Sequence, residues 1–179
     1  MGAGKILCIL GGIVTLVSTF LLSLFSLDFP TDLLWLEAGD VYASGLGFFV
    51  HIGDAFSNVE DIATGFGTES YVVWIFLILL IFWAISGIIQ LIGVKSRVAG
   101  IIGSIMPIFV GLVIILWALE VFDFPDEFGV MNLLLTDNTQ LAGVIPFDLP
   151  FGDFSLGAIL MIAGGGLGLV GGILGPEDF

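Results

Sequence analysis

The stretch that decides the fold runs from residue 70 to residue 119 and reads SYVVWIFLILLIFWAISGIIQLIGVKSRVAGIIGSIMPIFVGLVIILWAL. Its only charged residues, Lys95 and Arg97, separate two uncharged runs at residues 70–94 and 98–119. Each run exceeds the roughly 20 apolar residues that a helix needs to cross about 30 Å of hydrocarbon. Because the connection at 95–97 is so short, the two runs are predicted to form an antiparallel transmembrane hairpin.

Two further uncharged runs, at residues 6–27 and 154–176, are also long enough to span a bilayer. Backbone groups in lipid must be hydrogen-bonded within their own segment, so each of the four runs is predicted to be a helix. We therefore expect all 179 residues to form a single all-α integral membrane domain with two long loops, at 28–69 and 120–153. The first run follows Lys5 as a signal peptide would, but it is long for an h-region and no A-x-A-like site follows it, which favours an uncleaved helix.

The composition excludes several classes of protein. Hydrophobic residues make up 58% of the chain and charged residues only 11%, against roughly 25% charged in soluble domains. This apolar content excludes intrinsic disorder. A net charge of −14 with three basic residues excludes nucleic acid as a partner, because phosphate neutralisation needs lysine and arginine. The single cysteine excludes a disulfide framework. With these classes excluded, the chain is expected to be a membrane protein whose partner is the lipid bilayer.

The charged residues orient the predicted helices. Lys5, Lys95 and Arg97 fall on one side of the membrane if the four helices alternate in direction. The positive-inside rule places that side in the cytoplasm, so we expect a multi-pass protein of the cell membrane with both termini cytoplasmic. Of the 17 acidic residues, all except Glu177 and Asp178 then lie outside. The outer face is therefore predicted to be strongly anionic.

The two halves of the chain resemble each other around the long loops. Asp28-Phe29-Pro30 follows the first span and Asp123-Phe124-Pro125 follows the third. Gly65-Phe66-Gly67 precedes the second span, and Phe151-Gly152-Asp153 precedes the fourth. A tandem repeat of helix, loop and helix would explain this pattern, and chance similarity between apolar segments is the alternative.

Small residues recur every four positions along the first and fourth spans. They are Gly164, Gly168 and Gly172 in the fourth span and Gly11, Thr15 and Thr19 in the first. Such a stripe forms a flat groove in which another helix can lie closely, and hydroxyl groups there can hydrogen-bond across the interface. The pattern predicts helix packing, either within one chain or along the seam of an oligomer.

Ionisable side chains are missing from the middle of all four predicted spans, where Gln90 is the only strongly polar residue. Ion-coupled transporters place ionisable groups at that depth, so a transporter is disfavoured. The chain has one histidine and one cysteine, and no basic residue is expected on the outer side of the membrane. Few side chains are therefore available for acid–base or nucleophilic catalysis. We expect a protein that is not an enzyme and has no organic cofactor.

The first long loop contains a candidate cation site. His51, Asp54, Asn58 and Asp61 would share one face of a helix. His51, Asp54 and Asp61 could then ligate a divalent cation of unknown identity. The alternative is that these residues form the wet face of an amphipathic helix that lies on the membrane, and a short buried strand at residues 47–52 is a further alternative.

The motif Thr64-Gly65-Phe66-Gly67, just before the second span, resembles the filter strand of potassium channels. Two helix–loop–helix units with both termini inside also resemble the two-pore-domain potassium channels in plan. The resemblance implies a passive cation channel in which backbone carbonyl groups from equivalent loops converge on the ion. The second copy, Pro150-Phe151-Gly152-Asp153, departs from that motif because proline stands where the filter has glycine.

The predicted topology is also similar to that of claudin-like tetraspans, which have a longer first outer loop and a shorter second one. Trp35 and Gly45-Leu46 are similar to parts of the Trp and Gly-Leu-Trp signature of that family. The paired loop cysteines of the family are absent from this chain. The resemblance implies adhesion or barrier formation through the extracellular loops.

We therefore expect a non-enzymatic tetraspan that acts as a structural or accessory subunit of a homo- or hetero-oligomeric membrane assembly. Its partners would be the bilayer and either further copies of itself or other membrane subunits, which the acidic outer loops would meet. The alternatives are a passive cation channel with an acidic outer vestibule and a claudin-like adhesion or barrier protein.

Overall fold

A computed structural model of the chain describes residues 2–29, 34–37, 39–121 and 125–175. These residues are mostly helical. The helices are α1 (Ala3–Phe20), α2 (Gly45–Ser57), α3 (Val59–Gly65), α4 (Ser70–Ile92), α5 (Arg97–Ala118), α6 (Asp126–Leu135) and α7 (Leu156–Leu174). The strands are β1 (Phe25–Phe29), β2 (Gly39–Ala43), β3 (Thr136–Asp137), β4 (Pro150–Phe151) and β5 (Phe154–Ser155).

Within the described residues, α1, α4, α5 and α7 are long and apolar enough to cross a membrane. The prediction of four such helices is confirmed, and it indicates a multi-pass membrane protein. The four helices form a bundle in which α1 and α5 each pack against both α4 and α7. Consequently α4 and α7 face each other diagonally across the centre of the bundle.

The first membrane helix is shorter than the predicted span at 6–27, because α1 ends at Phe20 and β1 begins at Phe25. The backbone between them is hydrogen-bonded to distant segments: Leu24 N–H donates to Ala43 O over 2.8 Å, and Leu24 O accepts from Ser155 N–H, also over 2.8 Å. Leu24 and Phe25 are fully buried in protein. These apolar residues therefore lie in a protein core rather than in lipid, which their hydropathy does not reveal.

The described residues are mostly helical, which is consistent with the expected all-α membrane protein, and the long loops add short strands to these helices. Strands β1, β2 and β3 form an antiparallel sheet, in which Phe25 pairs with Ala43 and Tyr42 pairs with Asp137. Strands β4 and β5 form a separate hairpin. Since β2 belongs to the first loop and β3 to the second, the sheet joins the two loops. We call the unit of α2, α3, α6 and β1–β5 the cap; it lies at the bundle end opposite Lys5, Lys95 and Arg97.

The helix predicted through His51 and Asp61 is in fact two helices that meet at Asn58. Ser44 caps the start of α2, because its side chain accepts a hydrogen bond from Gly47 N–H over 3.2 Å. Helix α2 ends where the Asn58 amide donates to Asp54 O over 2.8 Å, and α3 starts directly afterwards. The alternative of a strand at residues 47–52 is wrong, because these residues are helical.

The predicted tandem repeat is not confirmed. The first loop contains, in order, β1, β2, α2 and α3, whereas the second contains α6, β3, β4 and β5. The Asp-Phe-Pro motifs that suggested the repeat include residues 30, 123 and 124, which lie outside the described residues, as do Asp32, Pro176, Glu177 and Asp178.

Candidate functional site

The glycine stripe of α7 faces other helices of the same chain. A Cβ atom added to Gly164 would lie 2.8 Å from Thr15 N of α1, and one added to Gly172 would lie 2.8 Å from Ile101 N of α5. At Gly168 it would lie 2.6 Å from Ser104 Oγ. Helix α7 thus lies close to both α1 and α5 because the facing positions carry no side chain.

The predicted residues of α1 line the other side of this contact. A Cβ atom on Gly11 would lie 2.5 Å from Gly168 N. The hydroxyl group of Thr15 donates to Gln90 Oε1 of α4 over 3.3 Å. Thr19 packs under the first residue of α2, Gly45, and its buried hydroxyl oxygen has no hydrogen-bond partner among the described residues. The stripe of α1 therefore contacts α7, α4 and the cap.

Gln90 is fully buried and connects three helices. Its amide nitrogen donates to Gly103 O of α5 over 3.0 Å, and its amide oxygen accepts from Thr15 of α1. A Cβ atom on Gly168 of α7 would lie 2.8 Å from the same oxygen, so the amide also touches the fourth helix. A lone glutamine in an apolar span was visible in the sequence, but its partners depend on the arrangement of the helices.

Nearer the cap, the centre of the bundle is filled by large side chains. Trp83 and Met161 are fully buried, and Trp83 Nε1 donates to Met161 Sδ over 3.0 Å. They extend from the diagonal helices α4 and α7. Together with Gln90 they occupy the axis of the bundle, along which a single chain would have to conduct ions.

The cap brings His51 together with two carboxylates. His51 Nδ1 lies 3.5 Å from Asp54 Oδ2, and His51 Nε2 lies 3.4 Å from Asp137 Oδ2. The Trp35 ring stacks on the imidazole, with 5.4 Å between ring centroids and 10° between planes. Trp35 Nε1 also donates to Thr136 O over 3.3 Å. This cluster links the first loop to the second.

The predicted cation site is therefore divided. Asp54 lies beside His51, but Asp61 belongs to α3, beyond the break at Asn58. Asp137, which the sequence analysis did not select, lies beside His51 instead, with its side chain only 6% exposed. In the part of the chain that the structure describes, no group of three or more His, Cys, Asp or Glu residues could hold a metal ion.

Carboxylates also meet on the β-sheet of the cap. Asp28 and Asp40 are directly opposite each other on β1 and β2, and with Asp148 they line a cavity of about 210 Å³. Asp148 accepts hydrogen bonds from Ser26 Oγ over 3.0 Å and from Ser155 Oγ. Like charges at opposite positions of a strand pair destabilise the sheet, so this surface favours nearby cations.

The motif that resembles a channel filter is a helix end. Gly67 N–H donates to Thr64 O over 3.2 Å, and Gly67 has a φ of 63°. The Thr64 hydroxyl group donates to Glu60 O over 2.8 Å. The second copy forms the β4–β5 hairpin, with Gly152 at its turn. The first copy therefore lacks the extended form of a filter strand, and the second copy is a β-hairpin that is paired with its own neighbouring strand.

An exposed apolar surface lies in the second loop. Its side chains, with their exposed fractions, are Leu141 (61%), Val144 (53%), Phe147 (46%), Leu149 (39%) and Phe151 (53%). Phe147 N–H donates to Leu21 O over 2.8 Å, which places this surface beside the cap end of α1. We call these five residues the apolar patch.

Comparison with known proteins does not assign the chain to a family: no family model, curated protein or solved structure matches it.

Proposed function

We propose that this chain is a non-enzymatic structural or accessory subunit of a cell-membrane assembly, with both termini cytoplasmic, and that its partners bind the cap. The observation that carries the proposal is the apolar patch. Large exposed apolar areas mark interaction sites on proteins, and five exposed apolar side chains in one short stretch of loop make that stretch a candidate for such a site. The glycine stripe offers no comparable surface, since its glycines face helices of the same chain.

The cap has a hydrogen-bonded sheet and a buried core, which are features of a preorganised recognition surface. Its sheet combines strands from both loops, and its core includes the fully buried Phe48 and Leu135. A preorganised surface loses less conformational entropy when a partner binds. A cap of this kind is therefore better suited to binding another protein than two separate flexible loops would be.

Charge favours a different chain over a second copy as the partner. Asp148 and the exposed Asp153 lie within or beside the patch in sequence, and the whole chain carries a net charge of −14. Two identical acidic caps would repel each other, whereas a partner with lysine or arginine around an apolar centre would be attracted. The assembly is accordingly proposed to be hetero-oligomeric, with self-association as the weaker alternative.

Site-specific photocrosslinking in native membranes tests this proposal. A photoreactive amino acid at Val144 should give a discrete protein adduct, and the same amino acid at Leu34, an exposed apolar residue of the first loop that is 49% exposed, should not. Native mass spectrometry of the purified chain in nanodiscs measures self-association separately. No adduct at Val144 beyond that at Leu34, together with a monomeric mass, would overturn the proposal.

The other candidate functions predict different results in the same membranes. A claudin-like adhesion protein would crosslink between opposed membranes and would aggregate vesicles. A passive cation channel would carry cation-selective current in a purified bilayer, and Gly65→Ala or Gly67→Ala would abolish that current. The filled bundle axis and the helix-end conformation of Gly67 argue for a chain without such a current.

A further inference from the structure

A groove lies between α1 and α4 at the bundle end that carries the basic residues. Its volume is about 590 Å³. It is lined by Ile9, Ile88, Leu91, Ile92, Val94 and Lys95. Five of these side chains are apolar and one is cationic, and the cationic one lies just beyond the end of α4.

The position of the groove along the helices determines which part of the membrane surrounds its opening. Ile88 and Ile92 stand on the last two turns of α4, and each side chain is 53% exposed on the surface of the bundle. Ile9 lies at a corresponding depth in α1, within two turns of its start. At about 1.5 Å per residue, the groove covers the outermost part of the hydrocarbon of one leaflet. Acyl chains are therefore the material that surrounds its opening.

The charges at this end make the groove selective for an anion. Lys95 is exposed at the mouth, and Lys5 lies one helical turn before Ile9 on the same face of α1. Arg97 is engaged elsewhere, because its guanidinium donates to Ile173 O at the end of α7 over 2.6 Å. Among the described residues, no carboxylate lies within ion-pair distance of either lysine.

We propose that this groove binds one anionic phospholipid, with an acyl chain against the isoleucines and the headgroup phosphate at Lys95 and Lys5. Basic residues beside a groove between transmembrane helices are a recognised arrangement for anionic headgroups. The methylene groups of the lysine side chains add apolar contact to the part of the acyl chain that lies nearest the headgroup. The acidic cap would repel the same lipid in the opposite leaflet, so the site acts on one side of the membrane only.

Native mass spectrometry of the delipidated protein with matched lipids tests the site. Phosphatidylglycerol should be retained more strongly than phosphatidylcholine with the same acyl chains. Lys95→Gln should reduce this preference about fivefold, the change that corresponds to about 1 kcal/mol per basic residue. Lys95→Arg should preserve it. Arg97→Gln removes one positive charge from the same end of the bundle, and it should leave the preference for phosphatidylglycerol unchanged.

Two further arms separate a lipid site from general electrostatic attraction. Ile88→Trp fills the groove from its exposed side, and it should reduce retention of phosphatidylglycerol although no charge changes. Glycerol phosphate, which has the headgroup chemistry without acyl chains, should not compete. Equal losses in Lys95→Gln and Arg97→Gln, unchanged binding in Ile88→Trp, or competition by glycerol phosphate would each overturn the proposal.

Discussion

Two glycines of α7, only two residues apart, should respond in opposite ways to the same substitution. Gly164 faces the backbone of α1: a new Cβ atom would lie 2.8 Å from Thr15 N and 3.1 Å from Gly11 O. Among the residues that the structure describes, no atom outside the backbone of α7 itself lies within 4 Å of the corresponding position on Gly166. Alanine at either site has the same gain in helix propensity, at most about 1 kcal/mol. Any difference between the two variants therefore reports the contact of α7 with α1.

The geometry sets the size of the effect. Ordinary contact begins near 3.4 Å, so Gly164→Ala requires α1 and α7 to separate locally by about 0.6 Å. Backbone atoms cannot rotate away as the end of a side chain can, and a gap of 0.5–1 Å forfeits roughly a quarter to a half of each contact energy. We expect Gly164→Ala to lose about 1–3 kcal/mol of stability. Gly166→Ala should be neutral or slightly stabilising.

The protein contains its own reporter for this measurement. Cys8 is the only cysteine, it is fully buried, and its Sγ atom would lie 2.8 Å from a Cβ atom on Gly171. A thiol-reactive fluorophore in detergent therefore reacts as α1 leaves α7, and its thermal midpoint orders the variants. Denaturation in mixed SDS micelles gives the free energy. If Gly164→Ala is as stable as Gly166→Ala, the close packing of α1 on α7 is refuted.

Three further predictions concern the buried amide and the cap. Gln90→Leu should lower stability in mixed micelles by about 0.5–2 kcal/mol, because it removes hydrogen bonds to two helices, whereas Ile85→Leu on the exposed face of α4 should change little. His51→Gln should increase proteolytic cleavage of the cap, because it removes the imidazole whose Nε2 lies 3.4 Å from Asp137 Oδ2. Asp137→Asn in the same chain should restore part of the protection, and additive effects in this double-mutant cycle would count against the contact. Zinc or calcium should shift the thermal midpoints of the wild type and of Asp61→Asn by the same amount, since Asp61 lies on a different helix from His51. A metal-induced shift that differs between the two proteins would show that Asp61 is a ligand.

The His51 cluster shows why site residues are harder to predict than spans. Helical spacing selected Asp61, but spacing is informative only if the helix is continuous, and the turn at Asn58 interrupts it. Asp137 is far from His51 in the chain and reaches it because β3 pairs with β2. No local pattern around Asp137 indicated this, since strand pairing depends on which segments the fold brings together.

Hydropathy does not show whether an apolar stretch lies in lipid or in a protein core. Residues 21–27 continue the hydropathy of α1 without a break, and a helix was predicted there for that reason. The structure places Leu24 and Phe25 in the cap, where distant backbone groups hydrogen-bond to the chain. Burial in either environment removes the same area from water, so the hydrophobic effect alone does not distinguish them.

The sequence by itself determined the four membrane helices and the separation of charge between the two ends of the bundle. Both follow from solvation: lipid excludes charged residues and requires backbone groups to be satisfied locally, which only a long helix achieves within its own segment. The tertiary structure alone decided what the glycine stripe faces, which helices Gln90 connects, and how both loops build one cap. Those outcomes depend on contacts between residues far apart in the chain, and the hydrophobic effect, being non-directional, leaves the choice among such contacts to packing and hydrogen bonding.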